Sequence, residues 1–90
     1  MNAVESGYQI TLVTATDCHL CERARKVLTA LSEETPITVR EVAWDAEEGR
    51  ALVKAAGVPF PPAIYVNGKI AGYGRVSERA LRRRLAELTL

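Results

Sequence analysis

The stretch that decides the fold is Tyr8-Gln9-Ile10-Thr11-Leu12-Val13-Thr14-Ala15-Thr16-Asp17-Cys18-His19-Leu20-Cys21. Tyr8 to Thr14 has the near-continuous apolar centre of a buried strand. The chain's only two cysteines follow at once, Cys18 and Cys21. Beyond them the pattern turns helical. Leu20, Ala24, Val27, Leu28 and Leu31 recur on one face, with Glu22, Arg23, Arg25, Lys26 and Thr29 opposite. The cysteine pair therefore sits where a strand hands over to a helix. Backbone N–H groups and the helix dipole at that end favour a thiolate. The second thiol lies one turn along and can close a disulfide with the first.

Working outward, Pro36 follows the helix end, and Ile37 to Ala43 alternates. Ile37 and Val39 share one face, Thr38 and Arg40 the other, as in a strand with a partly wet side. Asp45 with Glu48 three residues on resembles a capping box. It predicts a short helix from about Ala46 to Ala56 with Ala51, Leu52 and Ala55 inward, stopped by Gly57. Val58-Pro59-Phe60-Pro61-Pro62 excludes helix and central strand. Ala63-Ile64-Tyr65-Val66, Asn67-Gly68 and Lys69-Ile70-Ala71-Gly72 then spell a hairpin, because both central turn residues need φ > 0. Ser77 is placed to cap a last helix with Ala80, Leu81, Leu85 and Leu88 inward. The resulting order is β-α-β-α-β-β-α. A β-α-β unit requires parallel strands, and the hairpin requires antiparallel ones. The expected architecture is α/β, a four-stranded mixed sheet flanked by helices.

Bulk properties narrow the function. Ninety residues make one domain, 1–90, with room for a modest core. A chain 48% hydrophobic and 26% charged is ordinary for a globular protein, and a net charge of +1 shows no overall footprint for nucleic acid or membrane. Residues 1–7 read as a loose end without the basic start and apolar run of a signal peptide. No stretch approaches the roughly 18 apolar residues that span a bilayer. The expected compartment is the cytosol, where an isolated C-x-x-C is more often redox-active or metal-binding than a structural staple.

The element order, the C-x-x-C after the first strand and a proline before the third resemble the thioredoxin fold. In this compact form the chain is similar to the glutaredoxins, over roughly residues 8 to 88. Small bacterial glutaredoxin-like proteins carry the pattern that Thr16-Asp17-Cys18-His19-Leu20-Cys21-Glu22 repeats here. Pro62, five residues before Asn67, takes the place of the family's cis-proline, whereas Pro59 and Pro61 do not fit that count.

The resemblance implies a thiol–disulfide oxidoreductase with Cys18 as nucleophile and Cys21 as the inward-pointing resolving thiol. Cys18, nearest the helix end, is expected to have a lowered pKa. Pro61, Pro62 and His19 are the implied substrate-binding residues. His19, when protonated, would favour the Cys18 thiolate, and the plainer reading is an exposed helix residue. Asp17 opposes a thiolate by like charge, or serves as an anionic helix cap. No bound cofactor is required. The implied substrate is a disulfide-bearing protein or a low-molecular-weight thiol, with electrons from an upstream thiol or a flavin reductase, and a monomer is expected.

The chain departs from the family at three places. The residue before the cis-proline normally offers both N–H and C=O to the substrate, and Pro61 keeps only the C=O. Thr14 to Asp17 lacks the lysine that meets a glutathione carboxylate. The family's Gly-Gly and acidic pair is only echoed, by Gly72, Gly74, Ser77 and Glu78. Two other functions stay open. One is a metal or iron–sulfur module, in which a dimer would share four cysteines. The other is a non-catalytic interaction domain. Arg79, Arg82, Arg83 and Arg84 form a basic face on the last helix, read as solvated surface or as a dock for an acidic partner. Trp44 and Asp45 are read as core-edge packing and capping residues first, while for Phe60, beside the proline loop, core packing and lining a substrate groove are equal readings.

Overall fold

The computed structural model describes residues 7–88; residues 1–6, most of the loose end expected from the sequence, lie outside the described residues, as do 89–90. The order is β1 (Tyr8–Thr14), α1 (His19–Ser32), β2 (Ile37–Ala43), α2 (Glu47–Ala56), β3 (Ala63–Val66), β4 (Lys69–Tyr73) and α3 (Glu78–Leu88). This is the sequence of elements expected, with the last strand one residue longer.

The sheet order is β2-β1-β3-β4. β1 pairs in parallel with β2, Tyr8 opposite Ile37 and Thr14 opposite Ala43. It pairs antiparallel with β3, Ile10 opposite Val66 and Val13 opposite Ala63. β3 and β4 form the expected hairpin, with Asn67 at φ 50° and Gly68 at φ 86°. Asn67 also ties the turn to β1: its Oδ1 accepts the Gln9 N–H at 2.9 Å and its N–H donates to the Gln9 carbonyl at 2.8 Å.

Strand alternation distributes the apolar side chains to two layers. Ile10, Leu12, Ile64 and Val66 face α1 and α3, meeting Ala24, Leu28, Leu31, Val76, Leu81 and Leu85. Val13, Val42, Ala63 and Tyr65 face the other way, against Val53 and Val58. β3 is covered on both faces and buried throughout, hence its apolar run Ala-Ile-Tyr-Val. The Tyr65 hydroxyl donates to the Leu52 carbonyl at 2.7 Å, and burial pushes its ionisation up. β2 forms one edge, and Val39 is 42% exposed there. Among the described residues no helix is long and apolar enough to cross a membrane.

Four local expectations are corrected. The inward face of α2 is Gly49 and Val53, with Leu52 half-buried, while Ala51 and Ala55 are exposed. The helix rolls this way because Gly49 lies against the end of β2: a Cβ there would come within 2.0 Å of the Ala43 carbonyl oxygen. The Asp45–Glu48 capping box does not form. Ala46 is the N-cap with no side-chain cap bond. Glu48 is drawn instead to Arg40, which grips it with two hydrogen bonds of 2.9 and 2.7 Å. Asp17 does not cap α1; it holds a left-handed turn at φ 52°, which Asp tolerates better than most residues. Finally, Ala80 faces solvent, whereas Leu81 and Leu85 are buried. The cap on α3 is as expected: Ser77 Oγ accepts the Ala80 N–H at 3.1 Å.

Candidate functional site

α1 begins with the dithiol. Cys18 is its N-cap, with extended backbone (φ −117°, ψ 105°). The Cys18 carbonyl accepts the Cys21 and Glu22 N–H groups at 3.1 and 3.2 Å. Its Sγ also receives the Cys21 N–H at 3.1 Å, so the sulfur takes the place that a serine oxygen holds in an ordinary cap. The two sulfurs stand at disulfide-bonding distance, with Cα atoms 5.2 Å apart. Cys18 is half-buried and Cys21 is 0% exposed. Of the two, Cys18 is thus the more accessible residue. His19 is exposed on the first turn and makes no described contact with either sulfur.

The proline loop reaches the same end of the sheet through register. Ala63 pairs with Val13, so Pro62 stands one step further, beside Thr14, where β1 leads into the Ala15–Asp17 turn. The Pro61–Pro62 bond is cis, at the position expected from the sequence. Pro62 is buried, and its carbonyl accepts the Gly74 N–H at 2.8 Å. The Pro61 carbonyl has no hydrogen-bond partner among the described residues. Phe60, just before, is 49% exposed and meets Tyr73 edge-to-face with ring centroids 5.6 Å apart. It is not a core residue, which settles one of its two sequence readings. Gly74 stands at φ 68°, which favours glycine, and a Cβ there would come within 2.7 Å of the Phe60 ring, which would have to shift.

A cleft of about 390 Å³ opens on the other side of the Cys18 turn, lined by Thr14, Ala15, Thr16, Arg25, Ala43, Trp44 and Asp45. Its existence follows from the parallel pairing of β1 and β2, which brings their C-terminal ends together. That pairing was legible in the sequence; the cleft drawn from it was not. Arg25 on its wall donates to both Glu41 oxygens, at 2.7 and 3.1 Å, and Thr14 Oγ1 donates to the same carboxylate at 3.3 Å. The guanidinium holds the Glu41 carboxyl below the usual range. Trp44 is half-buried at the edge of the second core layer, and the Asp45 carbonyl accepts Arg50 Nη1 at 2.6 Å. Among the described residues no three His, Cys, Asp or Glu side chains converge as a metal site.

A four-stranded mixed sheet with α1 and α3 on one face, α2 on the other and a dithiol at the head of α1 is the thioredoxin fold. The glutaredoxin family model matches residues 10–71, more than half of the chain, and the chain belongs to that family. Among solved structures it is similar to a malarial protein (TM-score 0.69, 16% identity, 94% of this chain and 100% of that one). It is similar to a mutant thioredoxin from Halobacterium salinarum (0.69, 24% identity, 96% and 78%). It also resembles glutaredoxin 1 from Francisella tularensis, solved with cacodylate (0.55, 18% identity, 91% and 96%). These likenesses speak for the fold. No curated protein sequence matches the chain. Family and dithiol together support a thiol–disulfide redox function, and the family generally acts on disulfide or thiol substrates.

Proposed function

We propose that the protein is a thiol–disulfide oxidoreductase in which Cys18 attacks and Cys21 resolves. The observation that carries this reading is half-buried Cys18 at the head of α1, its sulfur within bonding distance of that of fully buried Cys21. The Cys18 thiolate adds to one sulfur of a substrate disulfide. That S–S bond breaks, and the departing thiolate takes its electron pair and a proton. A mixed disulfide now joins Cys18 to the substrate. Cys21 gives up its proton, attacks the Cys18 sulfur and expels the second substrate thiolate. The substrate has gained two electrons and two protons, and Cys18–Cys21 is a disulfide. An external thiol or flavin reductase returns the pair to the dithiol, and the cycle suits the reducing cytosol.

The helix N-terminus and the Cys21 N–H both stabilise negative charge on the Cys18 sulfur. His19, one residue on and exposed, adds to that when protonated. The open Pro61 carbonyl supports its role as the acceptor for a substrate backbone N–H, with Pro62 holding it in place beside Thr14.

Alkylation with mass readout in graded glutathione buffers tests the reading. A clean two-electron transition between roughly −270 and −180 mV, the span of known redoxins, is the expected result. Cys18→Ser should abolish exchange with a disulfide substrate, and Cys21→Ser should stall at the mixed disulfide. If no bond forms between the two cysteines under oxidising conditions, the redox reading fails.

A further inference from the structure

The arginines of this chain divide by engagement. Arg25, Arg40, Arg82 and Arg84 are each held by a glutamate, and Arg50 by the Asp45 carbonyl. Arg23, Arg75, Arg79 and Arg83 are exposed and have no partner among the described residues. The first three lie on the β4–α3 side of the molecule, away from β2. Arg75 follows Gly74, whose N–H holds the Pro62 carbonyl, so it stands beside the proline loop. Arg79 lies in the first turn of α3, next to the side from which Arg82 reaches Glu34 beyond the end of α1. On α1, Arg23 and Val27 lie on the side away from Arg25 at helical spacing. Arg25 reaches Glu41 on β2 and Val27 packs on the core that α1 shares with α3, so this side faces α3. Arg23 is at its end nearest Cys18.

These unpaired arginines thus lie on the proline-loop side of the dithiol, away from the Arg25–Glu41 pair. The nearby acids do not neutralise them. Glu78 is taken by Arg82, Glu22 falls on the Arg25 side of α1, and Asp17 alone remains. Arg79 also sits at the positive end of a helix, where its charge is unfavourable for folding. Beside Arg75 stand the exposed rings of Tyr73 and Phe60. Exposed aromatics beside arginines are the composition of a protein-binding hot spot.

We propose that this surface docks an acidic polypeptide segment carrying the disulfide to be exchanged, a proposal that rests on the oxidoreductase reading above. Phe60 and Tyr73 would cover apolar side chains next to the substrate cysteine. Arg23, Arg75 and Arg79 would meet carboxylates on either side of it. The exchange itself is the two-electron step already written. Charge complementarity acts mainly on the rate of encounter.

The test uses short synthetic peptides, each with one internal disulfide and flanked by glutamates or by lysines. Stopped-flow mixing with the reduced protein gives the exchange rate without any reductase. At low salt the acidic peptide should react about tenfold faster than the basic one. The ratio should collapse in about 1 M salt, where charges are screened beyond roughly 3 Å. Arg75→Glu with Arg79→Glu should abolish or invert it, and Lys54→Glu, the same change on α2 across the sheet, should leave it intact. Equal rates in the wild type, or a ratio retained in the double variant, would overturn the proposal. A small uncharged disulfide separates the two levels: if the wild type fails to reduce it, the redox reading is what falls. Docking is then read by NMR titration with the acidic peptide carrying serines for cysteines. Shifts at Arg23 and from Tyr73 to Arg79 uphold the surface, and their absence rejects it.

Discussion

Cys18 and Cys21 are chemically identical and three residues apart, yet their surroundings give them opposite sensitivities. Cys18 is an N-cap whose sulfur does a job that oxygen does better. Cys21 is 0% exposed, and a buried hydroxyl there would need a partner that a thiol can do without. In the reduced protein, Cys18→Ser should leave stability unchanged or raise it by up to about 1 kcal/mol, the usual gain of a good cap. Cys21→Ser should lower it by about 1–3 kcal/mol, the penalty of a buried unpaired polar group. Urea midpoints under reducing conditions would show the opposite signs. Two losses of equal size would mean that Cys18 is as buried in solution as Cys21. Both cysteines were legible because a cysteine pair stands out against any background. Gly49 was not. A glycine inside a helix reads as a weak helix former, and nothing in its neighbours announces a carbonyl 2.0 Å from where its Cβ would be.

At the scale of elements, boundaries were legible wherever the chain is punctuated: Pro36, Gly57, the proline run, Asn67-Gly68 and Ser77 each ended or began something. Which face of α2 turns inward was not, because its alanines carry little apolar weight and the close approach at Gly49 decided the matter. Nor was its cap, since Arg40 on β2 competes for Glu48 from outside the local sequence. The two caps therefore make a matched pair of predictions. Ser77→Ala removes the Oγ that holds the Ala80 N–H and should cost about 1 kcal/mol. Ala46→Ser, at a residue already extended (φ −74°, ψ 159°), should add a similar amount. For a domain of this size each shifts Tm by about 4–8 °C, in opposite directions. An Ala46→Ser protein no more stable than the parent would show that the head of α2 is satisfied by water.

The Arg25–Glu41 pair joins α1 to the edge strand and gives the fold a pH response. Glu41 is held below its ordinary value of 4.5, chiefly by the Arg25 hydrogen bond. Its folded form prefers to be charged, so the contribution is fully present above that value and fades as pH falls through the folded one. Both side chains are more than two-fifths exposed, at 44% and 41%, so solvent screening keeps the effect below about 1 kcal/mol. Glu41→Gln should thus lower the urea midpoint slightly at pH 7 and by less at about pH 3. An equal loss at both pH values would assign the residue's role to packing.

For the molecule as a whole, oxidation and folding form a closed cycle. The gap in unfolding free energy between disulfide and dithiol forms equals the extra ease of forming the bond in the folded state. The bond closes a loop of only four residues, so restricting the unfolded chain contributes about 2 kcal/mol, against nearly 5 for a loop of about 100. The site works against even this. The head of α1 and the Cys21 N–H stabilise a Cys18 thiolate, and that support belongs to the folded, reduced protein alone. A pair that must be oxidised and reduced in turn should leave the two forms close in stability. The dithiol and the cis-proline could be found from motifs, but this balance becomes visible only once the sulfur, the helix end and their burial are seen together. Urea unfolding of both forms should place the oxidised protein between 0 and about 2 kcal/mol above the reduced one. A larger gap would mean that reduction disrupts packing around Cys21, and would mark the bond as a staple instead of a working redox couple.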